Sequence, residues 1–267
     1  MSEQVVYVYG VVDAHTDASA APSGVEDARV TVERRGEVAA LVSVLDRAAY
    51  DSDVVASRAG DMAWVAPRAI AHDIVLSWAA SAGAVVPLPM LTLFRDAEGV
   101  RAMLTERAGE LRALLDWLAP AQEFGLRVFR LDAALQQHVG ELSPAIAGLE
   151  QQAAQARPGQ RYLLERKLEA ERAAEVRHVA ATTAATIFST LETHAMEGCR
   201  ETLPAREPRG AAAEGVAVLN ASYLVRRDAL EPFRAALAAL AEQYEPVGFR
   251  FDFTGPWPPY HFVGKAQ

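Results

Sequence analysis

VAVLNASYLVRRDALEPFRAALAALAEQYEPVGFRFDFT, residues 216–254, changes its hydrophobic period twice, and those two changes set the expected architecture. Val216 to Val225 has the composition of a strand. Asp228 and Glu231 follow at capping-box spacing, ahead of Leu230, Phe233, Leu237, Leu240 and Tyr244, which recur at helical intervals. After Pro246 the pattern becomes strict alternation: Val247, Phe249, Phe251 and Phe253 interleave with Gly248, Arg250, Asp252 and Thr254, as in a strand with one buried face. Strand, helix and strand together make a βαβ or split βαβ unit with its helix packed on a sheet.

Toward the N-terminus, Arg200 to Gly215 has the composition of a linker. Before it lies the longest periodic run. Opened by Pro158-Gly159, it keeps Leu164, Leu168, Val179, Ile187 and Leu191 on one face and extends to about Glu197, with pairs such as Arg161/Glu165 and Lys167/Glu171 on the others. Two shorter helical pieces divide near Ser143-Pro144, and Phe124 to Leu131 alternates weakly. The N-terminal part begins with VVYVYGVV (5–12), apolar on both faces like a central strand. A hairpin is predicted about Arg34-Arg35-Gly36, after an exposed loop at Asp13 to Gly24. A helix from Asp61 to Gly83 places Ile70, Ile74, Val75 and Trp78 on one face, with Pro67 near its start. A strand at Val85 to Leu88 follows. Asp96 then caps a single helix with Val100, Met103, Leu104, Leu111, Leu114, Leu115 and Leu118 as its stripe.

The expected organisation is α+β in two domains joined through the long helix. It comprises an N-terminal domain over 1–120, a helical region over 121–200 whose long helix runs over about 159–197, a linker over 201–215 and a C-terminal βαβ domain over 216–267.

Composition narrows the function classes. A chain of 267 residues, 51% hydrophobic and 23% charged, is long enough to bury two cores. Its net charge of -9, with no basic stripe, opposes binding to nucleic acid. One cysteine, Cys199, provides neither an internal disulfide nor a Cys-rich zinc site, and residues 1–10 lack the features of a secretory signal, so a cytoplasmic location is expected. Ile74 to Phe94 carries no charge and is long enough to span a bilayer, but Gly83, Pro87 and Pro89 would break such a helix, and a helix end, a turn and a buried strand are predicted instead. Asn220-Ala221-Ser222 matches a glycosylation sequon but falls within a strand.

Catalytic patterns are absent: GxGxxG, GxxxxGK[ST] and GxSxG do not occur. Glu175 and His178 have di-metal spacing, yet such sites need two Glu-x-x-His motifs and two further carboxylates. No catalytic, cofactor-binding or metal-binding residue is assigned. His72 is expected to be a capping or hydrogen-bonded helix residue, and Cys199, at the end of the long helix, an inert thiol. The remaining feature is FTGPWPPYHFV (253–263). Gly255 permits a tight turn; Pro256, Pro258 and Pro259 fix φ; and Trp257, Tyr260 and Phe262 are expected to pack back over the sheet, because leaving three large rings in water is costly.

The run from Thr254 to Val263 resembles the terminal motif of the gas vesicle protein F/L family. The resemblance continues through LNASYLVRRDALEPFRAAL (219–237), PGQRYLLERK (158–167), WVAPRAIAHDIVL (64–76), EVAALVSVL (37–45) and YVYGVV (7–12), and so covers nearly the whole chain in order. Near residue 88 the family pattern reads like PLRFGTVF, whereas this chain has Pro87-Leu88-Pro89-Met90-Leu91-Thr92-Leu93-Phe94. The resemblance implies two α+β domains, the second modified ferredoxin-like. It implies a non-enzymatic part in gas vesicle formation, as an assembly or minor structural protein that associates with the small hydrophobic shell protein and other accessory proteins and limits shell-protein aggregation during nucleation. The gas vesicle is then a second expected location. Pro87 to Phe94 and the corner formed by Gly255, Pro256, Trp257, Pro258, Pro259, Tyr260 and Phe262 are the candidate contact surfaces, each equally explained by core packing. The competing reading is a small-molecule-binding protein or enzyme that uses the ferredoxin-like half, with His72 or His178 as acid or base.

Overall fold

In the computed structural model, residues 4–203 and 215–263 are described; most of the expected linker, 204–214, lies outside them. The chain divides into two compact units, one running to Gln122 and resuming at Trp257, the other comprising Glu123–Pro256. Each is an α+β unit built around one four-stranded antiparallel sheet.

The first sheet contains β1 (Gln4–Asp13), β2 (Thr31–Arg35), β3 (Val38–Asp46) and β4 (Val85–Phe94) in the order β2-β3-β1-β4. Its double-sided apolar composition puts β1 in the middle, where every residue from Val5 to Val12 is buried. Gly10 is required by the approach of β4: a β-carbon there would meet the Val86 carbonyl oxygen at 2.8 Å and Leu76 Cδ2 at 2.9 Å. The predicted hairpin is present, with Arg35 opposite Val38 and Gly36 at φ 59° in the turn. Helices α1 (Ser52–Arg58), α2 (Met62–Ala82), α3 (Ala97–Glu106) and α4 (Ala108–Leu118) complete this unit, together with α9 (Tyr260–Val263).

The second sheet contains β5 (Ala121–Arg130), β6 (Glu197–Arg200), β7 (Val216–Arg226) and β8 (Phe249–Trp257) in the order β6-β7-β5-β8. The first strand in sequence lies between the third and fourth, with the second outside the third. With α8 (Leu230–Tyr244) between β7 and β8, this is a ferredoxin-like order. Its first crossover is enlarged to α5 (Asp132–Leu142), α6 (Pro144–Gln155) and α7 (Pro158–Glu192). Phe124, Leu126 and Val128 from β5, Val176, Ile187 and Leu191 from α7, and Tyr223, Phe233 and Phe249 make one buried core.

Four local expectations are corrected. The helix from Asp96 is two helices, because Arg107 leaves helical dihedrals (φ -102°, ψ 14°). No large apolar side chain between Leu104 and Leu111 holds a continuous helix on the sheet there. The long helix stops at Glu192; Met196 N–H then bonds the Leu224 carbonyl at 2.8 Å, and 197–200 pair with β7, so Cys199 lies in a strand and not at a helix end. Asp228 does not cap α8, since both its carboxylate oxygens accept from Arg226, at 2.9 and 2.8 Å. Ile70 and Ile74 do not join Val75 in the core but face outward. Among the described residues, no helix is long and apolar enough to cross a membrane.

Candidate functional site

The first unit carries an apolar surface whose origin is the composition of α2. Its 21 residues, MAWVAPRAIAHDIVLSWAASA, are apolar around most of the helix and have only Arg68 and Asp73 as fixed charges. Trp64, His72, Val75, Leu76 and Ala79 fill the inner face. That leaves Met62, Ile70 and Ile74, spaced by multiples of four along one ridge, 69%, 61% and 47% exposed.

Neither charge of α2 serves that ridge. Arg68 lies over the Trp64 ring at 4.2 Å, donates to the Tyr50 hydroxyl at 3.0 Å and the Trp64 carbonyl at 2.8 Å, and pairs with Glu26. Asp73 Oδ1 accepts from the Tyr260 hydroxyl at 2.7 Å.

Beside α2 the edge strand β4 leaves its ladder. Val8 pairs with Thr92 and Gly10 with Pro87, so residues 88 to 91 bulge opposite the single residue Tyr9. Leu91 takes φ 67°, a left-handed conformation rare for a branched side chain. Two buried groups hold the bulge. Leu91 N–H donates to the Tyr7 hydroxyl at 3.2 Å, and that hydroxyl lies 2.9 Å from His72 Nδ1. The His72 ring also bonds the Leu88 carbonyl. A carbonyl only accepts, so the ring is the donor to Leu88. Burial pushes the His72 pKa down to about 4, partly offset by the Leu88 bond and by Asp73, which keeps the ring neutral at physiological pH. Burial likewise raises the Tyr7 hydroxyl above its ordinary range. His72 is thus a structural pin between β1 and the β4 bulge, matching the expected hydrogen-bonded helix residue.

The bulge forms one wall of a cleft of about 310 Å³. Pro87 to Met90 face Leu114 of α4 and Tyr260 and Val263 of α9, with His72 and Arg107 also lining it. The Arg107 guanidinium is held by Glu110 at 3.0 and 2.7 Å, so this cation is neutralised at the cleft. Pro87 and Pro89 remove two backbone donors from an edge strand that carries half-buried Leu88, Met90, Leu91, Leu93 and Phe94.

Of the two surfaces singled out from sequence, Pro87 to Phe94 and the aromatic corner, the cleft is lined by Pro87 to Met90 and by Tyr260. The corner is less buried than expected. Phe262 is packed, 4% exposed, and Pro258 and Pro259 are buried, but Trp257 and Tyr260 are 42% and 38% exposed. The prolines and Phe262 supply the packing, while Tyr260 is committed to Asp73. Gly255 adopts φ 115°, where a β-carbon would meet the Glu123 carbonyl at 3.0 Å, and the Gly255-Pro256 peptide is cis. Sequence reasoning missed the α2 ridge. Its signal was the shortage of charge in 62–82, too few polar residues to coat an outer face.

The other polar candidates do not form a site with this cleft. Glu175 accepts from Ser143 Oγ at 2.6 Å, and among the described residues no group of three or more His, Cys, Asp or Glu is placed to hold a metal. Cys199 is half-buried in β6. Asn220 and Ser222 of the sequon donate to Glu201 at 2.9 Å each, within β7.

Residues 5–264 match the family described as "Gas vesicle synthesis protein GvpL/GvpF". The chain is 30% identical over 273 residues to gas vesicle protein L of Streptomyces sp. (strain CB03234), covering 100% of this chain and 95% of that one. It is 28% identical over 194 residues to gas vesicle protein F of the same strain, covering 73% and 76%. Crystal structures of GvpF from Microcystis aeruginosa and from Anabaena sp. PCC7120 superpose with TM-scores of 0.64 and 0.66, at 18% and 17% identity, over 97% of this chain and 98% and 96% of theirs. These two share the fold.

Proposed function

The chain belongs to the gas vesicle synthesis protein GvpL/GvpF family, and on that premise we propose that it holds the small hydrophobic shell protein and limits its aggregation while a vesicle is nucleated. Family membership makes it a protein of gas vesicle formation. The finer role rests on one observation: a chain of net charge -9 leaves a charge-free ridge, Met62, Ile70 and Ile74, beside an apolar cleft under β4. Exposed apolar area of this kind, rimmed by polar surface, marks contact with another protein. An aggregation-prone subunit gains from such a face, because it covers its own apolar surface without meeting a second shell subunit. The net negative charge of the chain keeps the pair soluble. Other gas vesicle accessory proteins are proposed as further partners, with the gas vesicle and the cytoplasm as its locations.

Mixing the purified chain with shell protein tests this. Suppressed turbidity and a co-sedimenting soluble complex at stoichiometric ratio are expected. Unchanged turbidity with no complex, at equimolar and at tenfold excess, would defeat the reading.

A further inference from the structure

We propose that Tyr260–Val263 is an intramolecular strap that competes with the shell protein for the β4 cleft, a step that rests on the reading of this face as the shell-protein contact. Two of the segment's attachments differ in kind. Phe262 is buried and anchors it, whereas Tyr260 is exposed and catches the half-buried Asp73 through its hydroxyl at 2.7 Å. A helix of four residues has no stability of its own, so α9 keeps its shape only while seated. Pro258 and Pro259 fix φ on the approach and deliver the segment to its seat with little chain freedom to lose.

What the strap covers and what it leaves open both matter. Tyr260 and Val263 line the cleft against Pro87–Met90, of which Leu88, Pro89 and Met90 have left the β1 ladder. Ile70 and Ile74 stay exposed on either side of the position that bears the catch, Asp73. An incoming apolar segment therefore has a foothold on α2 before the strap moves. It gains the cleft wall only by parting Tyr260 from Asp73. The strap thus sets a threshold: weakly apolar segments stay on the ridge, and a strongly apolar one displaces α9 and takes the cleft.

The experiment uses the full chain and two variants of the catch, Tyr260→Phe and Asp73→Ala, with two readouts. Amide hydrogen exchange at Val86, Leu88, Met90 and Leu91 reports the strap without any partner; exchange at Leu126 and Val128, in the other unit, controls for global unfolding. Affinity for shell protein reports the competition. Loss of one exposed charge-assisted hydrogen bond is expected to speed exchange at the four cleft amides and tighten shell-protein binding by roughly threefold to tenfold. Unchanged exchange in both variants overturns the strap. Faster exchange with equal or weaker shell binding overturns the competition and makes α9 part of the contact. Faster exchange with no shell binding by any form, wild type included, leaves the strap standing and defeats the function proposed above.

Discussion

The Tyr7 hydroxyl lies 2.9 Å from His72 Nδ1 and accepts the Leu91 N–H at 3.2 Å, so one phenol ties β1, α2 and the β4 bulge together. The arrangement favours a neutral imidazole, since a protonated ring would leave a charge in a buried site.

A pH dependence follows. His72 titrates at about 4 in the folded chain against 6.5 for an ordinary histidine. Between those values the unfolded chain binds a proton that the folded chain refuses, so stability is full above pH 6.5 and falls as pH drops toward 4. The loss attributable to this ring is about 3 kcal/mol. His72→Asn should be less stable than wild type at pH 7, and its deficit should shrink as pH falls through that window. Urea midpoints at pH 7.0 and 4.5 for both proteins give the comparison. A deficit independent of pH would mean that the ring is not held neutral.

Gly10 gives the steric counterpart. A β-carbon there would meet the Val86 carbonyl at 2.8 Å, and backbone cannot rotate away as a side-chain tip can. Gly10→Ala should cost roughly 1–3 kcal/mol, as overpacking does in tight interiors, and should lower the urea midpoint with little change in m-value. A gain in stability, as expected where glycine only contributes chain entropy, would show that β4 yields at this point.

What the chain announced and what it concealed differ by the range of the interaction. The central strand β1, the hairpin at Gly36 and the β7-α8-β8 unit were legible because each follows from a local period or a turn residue. The terminal corner was half legible. Burial of Phe262 follows from its apolarity, but Trp257 and Tyr260 are partly in water, and the Tyr260 bond to Asp73 joins residues 187 positions apart. The β4 bulge was not legible, because it depends on Tyr7 and His72 converging on Leu88 and Leu91 from two other elements. The end of α7 was misplaced for a similar reason: local pattern carries the helix to Glu197, while pairing with β7 claims residues 197–200.

Unequal burial in the corner predicts unequal mutants. Phe262→Ala empties a packed site and should cost about 3–5 kcal/mol. Trp257→Ala, at a ring 42% exposed, should cost well under half of that. Thermal or urea denaturation of the two single variants decides the order, and equal losses would mean that Trp257 is anchored as firmly as Phe262.

The ridge on α2 separates contact from scaffold. Ile70 and Ile74 are 61% and 47% exposed, so Ile70→Ser with Ile74→Ser removes little buried area and should change stability by about 1 kcal/mol or less. If the ridge receives the shell protein, the same double variant should lose the ability to keep that protein in the supernatant, since two apolar side chains at the centre of a contact carry much of its energy. The informative quantity is the ratio of the two effects. A large drop in shell-protein retention at nearly constant urea midpoint places the contact on α2. Full retention by a variant that has lost both side chains would move it off the helix, and the exposed apolar ridge would then need another occupant.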